Sequence, residues 1–284
     1  MKYICGIVLY NPELKRLRLN INNICRQVDK IVFVDNGSEN LSEIKELILQ
    51  YKNVELISND INQGVACALN QIFDYAMGEG YEWVLTLDQD SWADSSLIAK
   101  YNFVLEKDSL NIGILSPNII DINVNKNLVE LYLSEGVQEI DKCITSGSLT
   151  RIECWNQVGR FDELLFIDEV DFDFCERIAK TNYKILKVNN TYINHEIGNA
   201  SIVKILWLEI KVLNHNAFRK YYIARNIMIM SYKYYSIKRY ILAHLKVLKQ
   251  FLLVLFFEKK KCAKLHSILR GYSDGKKLGK KYIK

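Results

Sequence analysis

The feature that most constrains this chain is an alternation in its first hundred residues. Short apolar runs that end in polar turn residues are separated by segments with helical apolar spacing. Tyr3–Leu9 is a continuous apolar run and reads as a buried strand. Leu14–Arg26 carries Leu17, Ile21 and Ile24 on one helical face, and Lys30–Val34 is a second strand stopped by Asp35-Asn36-Gly37-Ser38. Helix Leu41–Tyr51, strand Val54–Ser58, loop Asp60–Gly64, helix Val65–Met77 and strand Glu82–Leu87 follow. Strands joined through helices predict an α/β fold with a doubly wound, mainly parallel, Rossmann-like sheet. Such sheets bind ligands beyond the carboxyl ends of their strands. Three polar clusters fall there: Asn11, Asp35–Ser38 and Asp88–Ser91.

Residues 110–200 read as shorter strands and loops, and from about Ile202 onward the chain reads as helices. This gives a catalytic domain over 1–200, with a nucleotide half at about 1–100 and an acceptor half at about 101–200. A basic helical region follows over 201–284. From residue 200 on there are 20 Lys and Arg against 3 Asp and Glu, whereas the earlier residues carry 18 against 30. Ile241, Leu245, Leu248, Leu252 and Leu255 form one helical face, with Lys238, Arg239, Lys246 and Lys249 largely off it. The uncharged run Phe251–Phe257 is far shorter than the ~20 residues that span a bilayer. The expectation is therefore a basic amphipathic helix on the membrane surface. The alternative is a helix packed on the main domain or on a second subunit, giving a homo-oligomer. The aliphatic face speaks against nucleic acid. Seven scattered cysteines without a C-x-x-C pair fit reduced thiols in the cytoplasm, and no secretory signal is expected before Asn11-Pro12.

Asp88-Gln89-Asp90 follows the apolar strand Trp83–Leu87. Two carboxylates on a turn suit Mg2+ or Mn2+, whose remaining positions go to phosphate and water. They equally suit a turn that caps the next helix. The segment Phe166-Ile167-Asp168-Glu169-Val170-Asp171-Phe172-Asp173 is dense in carboxylates among aromatics, a setting for a general base or for the acidic start of a helix. Asp173 and Arg177 form an (i, i+4) pair, which leaves Asp171 as the freer base. His195 is a candidate third metal ligand or a structural histidine.

Seven motifs occur in order: G-I-V-L-Y-N-P from Gly6, V-D-N-G-S from Val34, N-Q-G-V-A from Asn62, L-D-Q-D-S from Leu87, S-G-S from Ser146, F-I-D-E-V-D from Phe166 and H-E-I-G from His195. Together they resemble a family 2 inverting glycosyltransferase of the GT-A fold, and most resemble its bacterial rhamnosyltransferase branch. The resemblance covers residues 1–200 closely, and R-K-Y-Y-I-A-R-N from Arg219 and G-Y-S-D-G from Gly271 extend it. It implies a dTDP- or UDP-sugar donor, with dTDP-rhamnose first, and a glycan or lipid-linked glycan acceptor. It implies that Asp35 accepts from a pyrimidine N3–H, with Tyr10 and Asn11 shaping the base pocket. Asn62, Gly64 and Asn70 would line the ribose and diphosphate region. Asp90 would be the main metal ligand, Asp88 would contact ribose or metal-bound water, and His195 would complete that shell. Ser146, Gly147 and Ser148 would form the acceptor floor. Asp171 would be the catalytic base, with Asp168 and Glu169 orienting hydroxyls. Glu169 stands before Val170 rather than directly before Asp171, so Asp168 and Glu169 stay alternatives for the base.

Two other classes are weighed. A nucleotidyltransferase would carry a Gly-rich loop with Arg and Lys near the N-terminus, which Tyr10–Leu14 lacks. A non-catalytic scaffold of a polysaccharide assembly complex would tolerate loss of both Asp90 and Asp171.

Overall fold

The computed structural model describes residues 1–107, 111–121, 136–195, 201–205 and 208–282, which divide into two compact units. The first unit comprises Met1–Leu164 and Val170–Glu196, and the second Leu165–Glu169 and Ile197–Lys284.

The first unit opens as its apolar alternation dictates. Strands β1 (Tyr3–Leu9), β2 (Lys30–Asp35), β3 (Val54–Ser58) and β4 (Trp83–Asp88) are linked by helices α1 (Leu14–Ile24), α2 (Leu41–Ile48) and α3 (Val65–Gly78). β1 pairs in parallel with β2 on one side and β4 on the other, and β2 pairs with β3. Chain order thus reverses between β1 and β4, which opens a crevice at their carboxyl ends. Side chains alternate across β1. Cys5, Ile7 and Leu9 join the core with Leu17, Ile21 and Ile24 of α1, while Gly6 faces Ile72 of α3, where a Cβ would collide.

The second half of the sheet is mixed. β5 (Trp92–Ala93), helix α4 (Leu97–Lys107), β6 (Ile112–Asp121), β7 (Val137–Glu139), β8 (Leu149–Arg151) and β9 (Lys184–His195) complete it. The strand order is β3-β2-β1-β4-β8-β6-β9-β5, with β7 also on β9. β8 lies antiparallel between β4 and β6, whereas β6 and β9 run parallel. Helix α5 (Ile152–Gln157) and helix α6 (Val170–Ile178) bring Trp155 and Phe174 into an aromatic cluster with Phe73 and Phe161, at centroid separations of 4.5–5.5 Å.

In the second unit, the expectation of helix from Ile202 onward fails locally. Strands β10 (Ser201–Ile205) and β11 (Leu208–Val212) form an antiparallel hairpin. I-V-K-I and L-E-I-K-V alternate with a period of two, which is strand rather than helix patterning. Helices α7 (Ala217–Lys233), α8 (Ile237–Phe257) and α9 (Lys261–Gly279) follow. Asn216 and Ser236 cap α7 and α8 by accepting from Arg219 N and Arg239 N. Ala224, Met228, Ala243, Val247, Val254 and Ile268 form the core among the three helices. Gly271, Gly275 and Gly279 repeat every fourth residue of α9, and a Cβ at each would strike Tyr221 O, Arg225 O or the Tyr232 ring of α7. The two backbones therefore touch at Gly271 and Gly275, and at Gly279 the backbone lies on the Tyr232 ring. Glu258 is buried between the ammonium groups of Lys220 and Lys264, each 2.6 Å away. Burial pushes its carboxyl upward, and the two lysines outweigh that and hold it below its usual value.

Candidate active site

At the carboxyl ends of β1, β2 and β4 the polar side chains form one continuous chain of contacts within the first unit. It begins at Asp35, which is fully buried. Asp35 Oδ2 accepts from Gly37 N at 3.2 Å and Ser38 N at 3.0 Å, and Oδ1 has no partner among the described residues. The neighbouring Asn36 is a hub that sequence reasoning missed. Its Nδ2 donates to Asn62 Oδ1 at 3.0 Å and Gly64 O at 3.1 Å, and its Oδ1 accepts from Gln63 N at 3.1 Å. This fixes the Asn62–Gly64 loop against β2, and Gly64 supplies the positive φ of 89° that starts α3.

Asn11 has a left-handed φ of 47°, which asparagine tolerates. Its N–H donates to Ser38 Oγ and its Oδ1 accepts from Glu39 N, both at 2.8 Å. Tyr10 has an exposed ring, and both of its backbone polar groups are held by Gln89. Tyr10 N donates to Gln89 Oε1 at 2.8 Å, and Gln89 Nε2 donates to Tyr10 O at 3.3 Å. The middle residue of the acidic turn is therefore a clamp across the β1/β4 crevice. Asp88 O accepts from Asn20 Nδ2 at 2.8 Å, and Asp88 N donates to Ser146 Oγ at 3.0 Å. These bonds hold the turn by its backbone and by Gln89. The Asp90 carboxylate is half-buried and makes no described hydrogen bond or ion pair.

Ser146 and Ser148 are buried, and their hydroxyls are committed inside the protein. Ser146 donates to Ser91 Oγ at 3.1 Å, and Ser148 donates to Ile144 O at 2.6 Å. At Gly147, φ is 80° and a Cβ would strike Pro117 and Ile193. The Ser-Gly-Ser strap thus ties the acidic turn to a small cleft lined by Ser148, Cys143, Thr145, Phe161, Cys175 and Asp171. Asp171 opens α6, where its Oδ1 accepts from Phe172 N. As the spacing predicts, Asp173 is fully buried and paired with Arg177 at 2.9 Å. The Cys143 and Cys175 sulfurs lie 3.9 Å apart, and the thiol bond and burial hold Cys143 well above its usual pKa.

One expected site residue is committed elsewhere, and two belong to the second unit. Asn70, expected to line the donor, is buried with its whole amide in use. Oδ1 accepts from Trp155 Nε1 and Phe161 N, and Nδ2 donates to Phe161 O and Glu163. It is a latch between α3 and the 155–163 segment. Asp168 and Glu169 belong to the second unit. Arg219 grips Asp168 through two nitrogens, the nearer at 2.9 Å. Phe166, Asp168 and Glu169 have φ values of 62°, 65° and 65°, a strained run for non-glycine residues. Asn226, fully buried on α7, holds that run by donating to Leu165 O, Ile167 O and Asp168 O at 2.7–2.9 Å, while Phe166 stacks on Tyr222. The R-K-Y-Y-I-A-R-N stretch was the sequence signal for this grip. His195 ends β9, and its side chain lies outside the described residues.

No cluster of three or more metal-binding side chains occurs among the described residues. Asp88 and Asp90 still fit a hard divalent cation. They put two oxygen donors on one turn, and the Asp90 carboxylate has no described partner.

A parallel half-sheet with its switch point between an acidic turn and a polar pocket, continued by a mixed half, is the GT-A glycosyltransferase fold. Residues 5–151 match the model of glycosyl transferase family 2. The chain is 31% identical over 237 residues to the dTDP-rhamnosyl transferase RfbF of Shigella flexneri, covering 79% of this chain and 78% of that protein. Among solved structures it is similar to S. aureus TarS 1–349 in complex with UDP-GlcNAc, with a TM-score of 0.60, 15% identity and coverage of 97% and 81% of the two chains. It is also similar to GalNAc-T7 with UDP, GalNAc and Mn2+, with a TM-score of 0.57, 14% identity and coverage of 80% of this chain and 51% of that one. These structural likenesses concern the fold. The chain belongs to glycosyl transferase family 2 and is a glycosyltransferase.

Proposed function

We propose that this enzyme transfers L-rhamnose from dTDP-rhamnose, with inversion, onto a lipid-linked glycan at the cytoplasmic face of a bacterial membrane, in surface-polysaccharide synthesis. The observation that carries the reading is the Gln89 clamp. It locks the acidic turn to Tyr10, so the pocket for the base and the station for the diphosphate are one rigid unit at the β1/β4 crevice. The rhamnose assignment is supported by the similarity to the Shigella enzyme.

Asp35 Oδ1, buried and unpartnered, accepts the N3–H of thymine, with Tyr10 and Asn11 beside it. The Asn62–Gly64 loop borders the ribose and diphosphate. Asp88 and Asp90 would hold Mg2+ or Mn2+, which when bound neutralises charge on the departing diphosphate. Asp171 takes the proton of an acceptor hydroxyl. The acceptor oxygen bonds to the anomeric carbon from the face opposite the diphosphate. The bond from that carbon to the phosphate oxygen breaks, and its electron pair leaves with dTDP. No covalent enzyme intermediate forms. The Ser146-Gly147-Ser148 strap sets the spacing between the turn and Asp171 from below.

Asp171→Asn tests this. Turnover is expected to fall by ~10²–10⁴-fold, the contribution of one general base, while dTDP affinity holds. Full activity of that variant removes Asp171 as the base and returns Asp168 and Glu169 to candidacy. A donor panel in which a UDP-hexose is used and dTDP-rhamnose is not removes the sugar assignment and leaves the fold reading intact.

A further inference from the structure

The Ile237–Phe257 helix shows a surface that the transfer reaction does not use. One face is accounted for: Ala243, Val247 and Val254 are buried against α7 and α9 in the core of the second unit. The opposite face is apolar and faces outward. Ile237, Ile241, Leu245, Leu248, Leu252 and Leu255 step by four and three, and are exposed by 37% at Leu255 to 70% at Ile237. At about 1.5 Å per residue the stripe runs for about 27 Å. Isolated exposed leucines are ordinary, but a continuous apolar ridge of this length marks a contact surface.

The charges around the ridge say what it contacts. Lys238, Arg239, Lys246 and Lys249 lie on the same helix, and Lys259, Lys260 and Lys261 follow it. The single acid of this stretch, Glu258, is buried and bound by Lys220 and Lys264, so it offers nothing outward. A second copy docked face to face would set these cations against their own counterparts, with no exposed acid on the helix to meet them. An anionic lipid surface meets both requirements: acyl chains for the ridge and headgroup phosphates for the lysines.

The helix is long and apolar enough, by length and composition, to cross a bilayer. This revises the expectation drawn from the short Phe251–Phe257 run. Crossing, however, would strip the packed face from the second unit and bring Lys246 and Lys249 to mid-membrane depth. We therefore propose that α8 lies flat in the interface of an anionic membrane, ridge toward the acyl chains, with Lys246 and Lys249 reaching back to the headgroups. The inference holds whichever sugar the enzyme transfers.

The test is vesicle flotation of the full chain, with vesicles of phosphatidylcholine alone and of phosphatidylcholine with phosphatidylglycerol. The wild type is expected to float with the anionic vesicles, at least ~10-fold more than with neutral ones, and to be released at high pH as a peripheral protein is. Leu245→Gln with Leu252→Gln should abolish flotation, and Lys246→Gln with Lys249→Gln should remove the preference for anionic lipid. All four positions are exposed, so melting temperatures should stay unchanged. Three results overturn the proposal. The first is failure of the wild type to float, with the glutamine variant converting a dimer to a monomer in light scattering, which assigns the ridge to a second copy. The second is flotation that both variants retain. The third is resistance to release at high pH, which assigns a span.

Discussion

Replacing Asn226 by alanine tests whether the second unit sets the shape of the acidic segment. The wild-type amide has two N–H groups serving three carbonyls, those of Leu165, Ile167 and Asp168. Arg225 also donates to Leu165 O at 3.0 Å, so that oxygen keeps a donor in the variant. The Ile167 and Asp168 oxygens lose theirs, at ~1–3 kcal/mol for each group left buried and unpaired. The segment has an escape. Three non-glycine residues in the left-handed region hold ~1–3 kcal/mol of strain each, and relaxing one of them offsets part of the ~2–6 kcal/mol lost with the two carbonyls' partners. Global stability is therefore expected to fall by only ~2 kcal/mol, about 4–8 °C in melting temperature for a domain of this size. The working conformation of the segment loses more. A shift of ~1.4–3 kcal/mol toward the relaxed form lowers its population by ~10- to 100-fold. Turnover at saturating donor should fall by that factor with little change in donor affinity. Asn226→Asp keeps the shape, removes both donors and turns an anion on three carbonyls, so its loss should be the greater. Wild-type turnover and melting in both variants would refute the reasoning.

Asp90→Asn should raise the Mn2+ or Mg2+ concentration needed for half-maximal activity by at least ~10-fold, and a chelator should silence the wild type; an unchanged metal titration counts against Asp90 as a ligand. Asn70→Ala leaves Trp155 Nε1 and both Phe161 backbone groups unpaired, at ~1–3 kcal/mol each; denaturant unfolding should show the loss, whereas a changed donor KM at wild-type stability would restore Asn70 to the donor site. His215 is held to a pKa of about 4, by burial first and then by Arg219, against 6.5 in the unfolded chain. The unfolded chain therefore takes up a proton below pH 6.5 that the folded one refuses down to about 4, so stability falls as pH drops through that window and this group contributes no slope above it. Melting temperature against pH should be flatter for His215→Gln between pH 6.5 and 4, and parallel curves would exclude the effect.

The parallel half of the sheet was legible because β1, β2 and β4 are buried apolar runs closed by turns, and β1 and β3 begin and end where the pattern places them. The mixed half was not. β5, β7 and β8 have two or three residues, too few for a period to register, and their partners lie far along the chain. The acidic turn and Asp35 were legible as candidates because they stand at strand ends, where such sheets bind ligands. The role of Gln89 could not, since a clamp across two loops depends on where both backbones go. Asp168 and Glu169 look like neighbours of Asp171 in sequence, yet they fold with α7, because Asn226 and Arg219 fifty residues on hold them. The apolar face of α8 was visible as a period. A period shows that a face exists and is silent on what covers it.

The glycine line of α9 has a consequence for how this protein can vary. With α9 backbone against the α7 backbone at Tyr221 and Arg225 and against the Tyr232 ring, positions 271, 275 and 279 accept one residue type. Alanine at Gly275 would press on the carbonyl of Arg225, immediately beside Asn226. A single methyl group on α9 would thus be transmitted along α7 to the acidic segment. Sequence change in α9 is therefore filtered by the packing of α7, and truncating α9 would remove the wedge that keeps α7 in register.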